Sequence, residues 1–257
     1  MTTSEEHTAP AEALSGYLGG WTDTLDAEYR DSPKFFDRFL AMLDVPRSRD
    51  SLTPVEQALI GVAVVGNTAS TNWPRLRAYV RVALRLGASR SEVRDVLQLV
   101  SIMSIHALSI GAPAVADVLR ERGIGPSAEL SARQQGLRAD FEHNRGYWHK
   151  SWDDVLALDP DMFEAYTNFS TVGPQFGSLP VKLRELIYIA IDCVVTHLYV
   201  PGVQIHTRAA LDAGATVDEI LSAIEIAAFT GADPYFEAIA RVPELFEGAN
   251  EVVEHSQ

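Results

Sequence analysis

The sequence predicts an all-α protein built from two tandem copies of one helical unit. Three observations predict it. One offset of 127 residues superposes the two halves, helix-capping punctuation recurs at matching places in both, and no alternating strand pattern lies between hairpin turns. The offset pairs Trp21 with Trp148, Asp26 with Asp153, Pro33 with Pro160 and Phe36 with Phe163. It continues through Leu59-Ile60 and Leu186-Ile187, Ala63 and Ala190, Pro74 and Pro201, Arg81 and Arg208, Gly87-Ala88 and Gly214-Ala215, and Glu92 and Glu219. No gap is needed from about residue 14 to residue 118. The first copy is therefore placed at 14–121, a connector at 122–140 and the second copy at 141–247. Each copy is expected to hold about five or six helices, the two related by a pseudo-twofold. Residues 1–12 and 248–257 are expected to be loose tails.

Each element has its own signal. Ser32-Pro33 and Asp159-Pro160 set a capping residue before a proline suited to the first helical position. Thr53-Pro54-Val55-Glu56 does the same and adds a capping-box glutamate. Ser89-x-x-Glu92 and Thr216-x-x-Glu219 are matching capping boxes, and Gly87 and Gly214 stand where a helix ends in a left-handed residue. Between these marks lie apolar runs of helical length at 55–69, 75–86, 91–105, 181–196, 202–213 and 217–230.

Composition narrows the function. The chain has 257 residues, 47% hydrophobic and 22% charged, with a formal net charge of −14. Such acidity repels phosphate backbones and anionic lipid, so neither nucleic acid nor a membrane is an expected partner. No segment has about 18 uninterrupted apolar residues, and Met1 to Pro10 lacks the basic and apolar regions of a signal peptide. Cys193 is the only cysteine, which excludes an intrachain disulfide and fits a reducing compartment. A cytoplasmic protein is expected.

Candidate chemistry gathers in the second copy. The run at 181–196 is apolar nearly all round, as in a buried helix, yet it carries Glu185 and Asp192 on one face. A buried carboxylate needs a partner; a structural pair with Arg184 or Arg208 is the alternative to a site. His197 follows, then Tyr199, Pro201 and a new helix with His206 and Arg208. Two histidines flanking a helix junction can converge on one point. Glu225 sits on an apolar stripe between Leu221 and Phe229, where a carboxylate must be bound by something or lie at a solvated edge. Asp233 reads as a cap or turn residue before Pro234.

The first copy serves as an internal control. At the offset, Glu185 corresponds to Ala58, His197 to Ser70, His206 to Tyr79 and Glu225 to Gln98. The fold punctuation is kept there without a carboxylate or imidazole, so these residues serve more than the fold. His106 stands opposite Asp233; it is either a vestige, the preferred reading, or a residue that completes the second copy's site. No phosphate-binding loop, Cys-x-x-Cys, nucleophile elbow or His-Glu-x-x-His occurs.

The stretch Leu179-Pro-Val-Lys-Leu-Arg-Glu-Leu-Ile, followed by His206-Thr-Arg-Ala-Ala-Leu-Asp-Ala-Gly-Ala, resembles the carboxymuconolactone decarboxylase and alkylhydroperoxidase D superfamily. The signature covers roughly 179–230 and recurs more faintly at 52–103. The resemblance implies an all-helical, oligomeric fold, often two-repeat with one repeat degenerate, and so a homo-oligomer. In the peroxidase branch, residues matching Glu185 and His206 serve a Cys-x-x-Cys pair. Here His197 and Val200, or Tyr199 and Gly202, fall at the cysteine positions, so thiol peroxidase activity is not expected.

The resemblance implies a cysteine-free lyase or decarboxylase-like enzyme. It would act on a small carboxylated or oxygenated substrate, by decarboxylation, lactone opening or a related proton transfer. His206 and His197 are expected as general acid and base, with Glu185 orienting one of them. Glu225 joins the catalytic set, Arg208 would hold a substrate carboxylate and Tyr199 would line the pocket. No cofactor is expected. An alternative makes His197, His206 and Glu225 ligands of one Zn²⁺ or Fe²⁺, with His106 or Glu185 as a further ligand. Another is a non-catalytic binding protein on the same fold.

Overall fold

The computed structural model describes residues 8–68, 71–127 and 129–245. The described residues form helices and turns, with no strand among them. In order these are α1 (Thr8–Leu18), α2 (Asp23–Asp31), α3 (Pro33–Arg49), α4 (Pro54–Val65), α5 (Trp73–Arg85) and α6 (Arg90–Ser101). A 3₁₀ turn (Ile102–Ile105) leads into α7 (His106–Glu121), α8 (Ala132–Arg145), α9 (Ser151–Leu158), α10 (Pro160–Ser170) and α11 (Val172–Phe176). Then come α12 (Val181–Asp192), α13 (Val200–Asp212), α14 (Val217–Ala228), a 3₁₀ turn (Phe229–Ala232) and α15 (Asp233–Arg241).

The offset reappears in the helix ends. Adding 127 to the bounds of α4, α5 and α6 (54–65, 73–85, 90–101) gives those of α12, α13 and α14 (181–192, 200–212, 217–228). The capping boxes at Thr53 and Thr216 form with both hydrogen bonds. Gly87 and Gly214 are left-handed at φ 105° and 85°. Asp159 caps α10 through its side chain, whereas Ser32 makes no side-chain cap bond on α3.

The described residues fall into two compact units, which cut across the copies: one runs up to Val100 and resumes at Ser178, the other spans Ser101–Gly177. In the first unit α4 and α12 pack on each other, each forming a hairpin with the next helix, α5 or α13, and α14 packs on both α4 and α12. Every residue from Ala58 to Val65 and from Leu186 to Asp192 is buried. Each large apolar side chain so buried is worth about 1.5–3 kcal/mol, which explains helices that are apolar on all sides.

The second unit has its own core, in which Phe141, Trp152 and Phe163 pack with Val155 and Leu156. Here the expected connector at 122–140 contains most of α8. Its capping box, Ser131 with Gln134, is present in the sequence, but Phe141 is its only buried residue, so the apolar periodicity is too thin to announce a helix. Likewise residues 8–12, expected as tail, belong to α1; residues 1–7 and 246–257 lie outside the described part.

The continuous helical run Arg90–Glu121 is by length and composition able to cross a membrane, although it is not uninterruptedly apolar, and the 3₁₀ turn breaks its α-helical pattern. One further expectation is corrected. The expected helix at 181–196 ends at Asp192. Its apolar residues run on because Val194 is buried in the turn, not because the helix continues. Leu198 adopts φ 48°, and the Tyr199 N–H donates to the Asp192 carbonyl at 2.8 Å, reversing the chain before Pro201.

Candidate active site

The α12–α13 hairpin brings Glu185 and His206 together. His206 Nδ1 lies 2.7 Å from Glu185 Oε2, with side chains 22% and 12% exposed. The carboxylate accepts from Nδ1–H, which leaves Nε2 as the proton-accepting nitrogen of a neutral ring. The imidazole stacks on Tyr188, ring centroids 4.4 Å apart and planes 27° apart. Tyr188 stands one helical turn beyond Glu185, so α12 supplies both the hydrogen bond and the surface that fix the ring's orientation. Arg184 completes the group: its Nε is 3.9 Å from Glu185 Oε1, and that nitrogen is buried without a hydrogen-bond partner.

His197 lies elsewhere on the hairpin. It sits in the turn after α12, its Nε2 3.5 Å from Asp192 Oδ1 and its ring 5.9 Å from that of Tyr199. Glu185 and Asp192 are separated by about 10 Å along the helix axis, at 1.5 Å per residue. Each imidazole thus takes its own carboxylate, and the two do not converge. Gly202, at the start of α13, is required here: a Cβ would run into Asp192 Oδ2 and the Tyr199 ring.

Glu225, Arg208 and Asp233 have partners other than the pair. Glu225 is bound by Arg49 at the end of α3, through Nη1–Oε2 at 2.7 Å and Nη2–Oε1 at 2.8 Å, while Nη1 also donates to Ser222 at 3.0 Å. Something does bind this carboxylate, and it is a bidentate guanidinium that ties α3 to α14. Arg208 is exposed and reaches back to the Gln204 carbonyl of its own helix at 3.3 Å. Asp233, expected as a cap or turn residue, opens α15 and makes an ion pair with buried Arg75 at 2.6 Å. His106 opens α7 in the other unit. Of the alternative metal-ligand set, Glu225 has both its oxygens engaged by Arg49, while the Glu185 bond to His206 Nδ1 leaves Nε2 open.

Burial, with Asp192 as second cause, pushes the Cys193 thiol above its ordinary value. A thiol so raised is a weak nucleophile at neutral pH. Arg184 and Tyr188 belong to the site but were not singled out by the sequence as catalytic; their signal is spacing from Glu185, adjacent and one turn on.

An all-helical protein with a histidine–carboxylate pair inside one helical hairpin is the class that fold and site define. The carboxymuconolactone decarboxylase family profile matches residues 160–245. A solved structure from Burkholderia xenovorans LB400, of a protein assigned as a gamma-carboxymuconolactone decarboxylase subunit, is 37% identical. It superposes with a TM-score of 0.86 over 92% of this chain and 95% of its own. No curated protein matches. The chain belongs to the carboxymuconolactone decarboxylase family.

Proposed function

We propose that this protein is a cysteine-free enzyme that moves a proton at a small carboxylated or oxygenated substrate, in a decarboxylation or lactone opening. The observation that carries the reading is the 2.7 Å bond between Glu185 and His206 with the ring stacked on Tyr188. Nε2 is then the general base, later the acid, while Glu185 holds the tautomer and stabilises the imidazolium as it forms. In this reading Arg184, whose Nε lies 3.9 Å from Glu185 Oε1, takes the role expected of Arg208 and holds a substrate carboxylate. The family and the Burkholderia relative support the substrate class, and no cofactor is called on. A homo-oligomer in the cytoplasm belongs to the same reading, since Val181, Val195, Leu198 and Val200 around the hairpin are exposed apolar residues.

The test is carbon dioxide release from a carboxylated muconolactone by wild type and His206→Ala. Turnover by wild type with a loss of about 10²–10⁴-fold in the variant is expected. Turnover unchanged in His206→Ala removes the imidazole from the mechanism.

A further inference from the structure

The first unit holds an open-sided cavity of about 340 Å³ that does not include Glu185 or His206. Gln57, Ala58 and Tyr79 line it. At the offset of 127 these are the counterparts of Arg184, Glu185 and His206 (57, 58 and 79 become 184, 185 and 206). The copy without the pair therefore keeps open space where the other copy has its chemistry.

Chemistry of the lining defines an occupant. The walls are apolar side chains from α3, α4, α5 and α14, a volume and character typical of small-molecule pockets. Polar groups are few: Tyr17, Tyr79, Gln57, Arg47 and Asp50. The Gln57 amide already donates to the Leu52 carbonyl, and Tyr17 to the Phe229 carbonyl at 2.7 Å. Tyr79 packs on Gly61, where a Cβ would land in its ring. Burial raises the Tyr79 phenol, and the guanidiniums of Arg75 and Arg47 pull it back, with Asp233 opposing. Arg47 is thus the lining cation on the side of that hydroxyl, with Asp50 the one acid in the same lining. Arg75 is committed to Asp233 at 2.6 Å, but Arg47 is half-exposed and held only loosely by Asp44 at 3.3 Å.

We propose that this cavity is a second ligand site, which binds a small aromatic or alicyclic monocarboxylate with its ring among the apolar walls and its carboxylate at Arg47 and Tyr79. It goes beyond the catalytic reading, since no residue of the Glu185–His206 pair takes part. The positions of the pair are filled by Ala58 and Tyr79, so the bound acid is held without being turned over.

Benzoate titrated by calorimetry into wild type, His206→Ala, Arg47→Gln and Ala58→Phe tests it, with benzamide as the uncharged comparison. Expected are one saturable equivalent that survives His206→Ala, about tenfold weaker binding in Arg47→Gln, loss in Ala58→Phe and weaker binding of benzamide. Arg47 is exposed, so its variant reads out even where Ala58→Phe fails to fold. Binding lost in His206→Ala yet intact in Arg47→Gln would put the ligand at the catalytic pair and overturn the second site. Absence of saturable benzoate binding to folded wild type overturns it as well, and equal affinity for benzamide overturns the anionic ligand class.

Discussion

Glu185 and His206, 21 residues apart, are joined by a 2.7 Å bond across the α12–α13 hairpin. A pair held this way acts as one device, so removing either member removes most of what both supply. Glu185→Gln keeps a hydrogen-bond acceptor but loses the charge that stabilises the imidazolium. Its kcat is expected to fall by about 10²-fold. The double variant with His206→Ala is expected to be no slower than His206→Ala alone, which steady-state kinetics of the four proteins checks.

Gly202 leaves room for the buried Asp192 carboxylate. Gly202→Ala is expected to cost about 1–3 kcal/mol, the usual range for overpacking. Urea unfolding measures it. In Asp192→Ala the nearer obstacle is gone and the Tyr199 ring remains, so the same glycine substitution in that background is expected to cost less but not nothing.

Glu225 is the expected site residue whose partner argues for a structural role. Glu225→Gln is expected to keep kcat and to lower Tm, because Arg49 loses its bidentate partner while the catalytic pair is untouched. A collapse of kcat with unchanged Tm would return Glu225 to the active site.

The raised Cys193 thiol predicts slow alkylation. A thiol pushed up has less thiolate at any given pH, so iodoacetamide at pH 7.5 is expected to label native protein more slowly than protein in urea. The native rate is expected to climb on alkalinisation beyond the point where an ordinary thiol has levelled off. Intact-mass measurements over a pH series check both.

The fold was legible wherever the signal was local. Thr53, Ser89 and Thr216 name their own capping partners three residues on, and Gly87 and Gly214 announce their left-handed backbone. Glu185 and His206 were legible because a carboxylate and an imidazole in an apolar hairpin need a reason, and the first copy does without them. What remained hidden was long-range. The partner of Glu225 is Arg49, 176 positions away, and nothing in the stripe around Glu225 points there. The choice between Arg184 and Arg208 depends on which way each helix turns its face, and α12 stops four residues short of its apolar run because that run also has to fill the turn. Helix α8, with one buried residue, offers periodicity nothing to count.

The matching ends of the helices have a practical consequence. Segments 54–85 and 181–212 both hold 32 positions, with the same helix lengths and the same loop between. Either can be spliced into the place of the other without shifting any downstream residue. On the proposed function, the chemistry of this scaffold is then portable: a graft of the second hairpin onto the first would ask whether the frame around the first-copy pocket can be made to work as well.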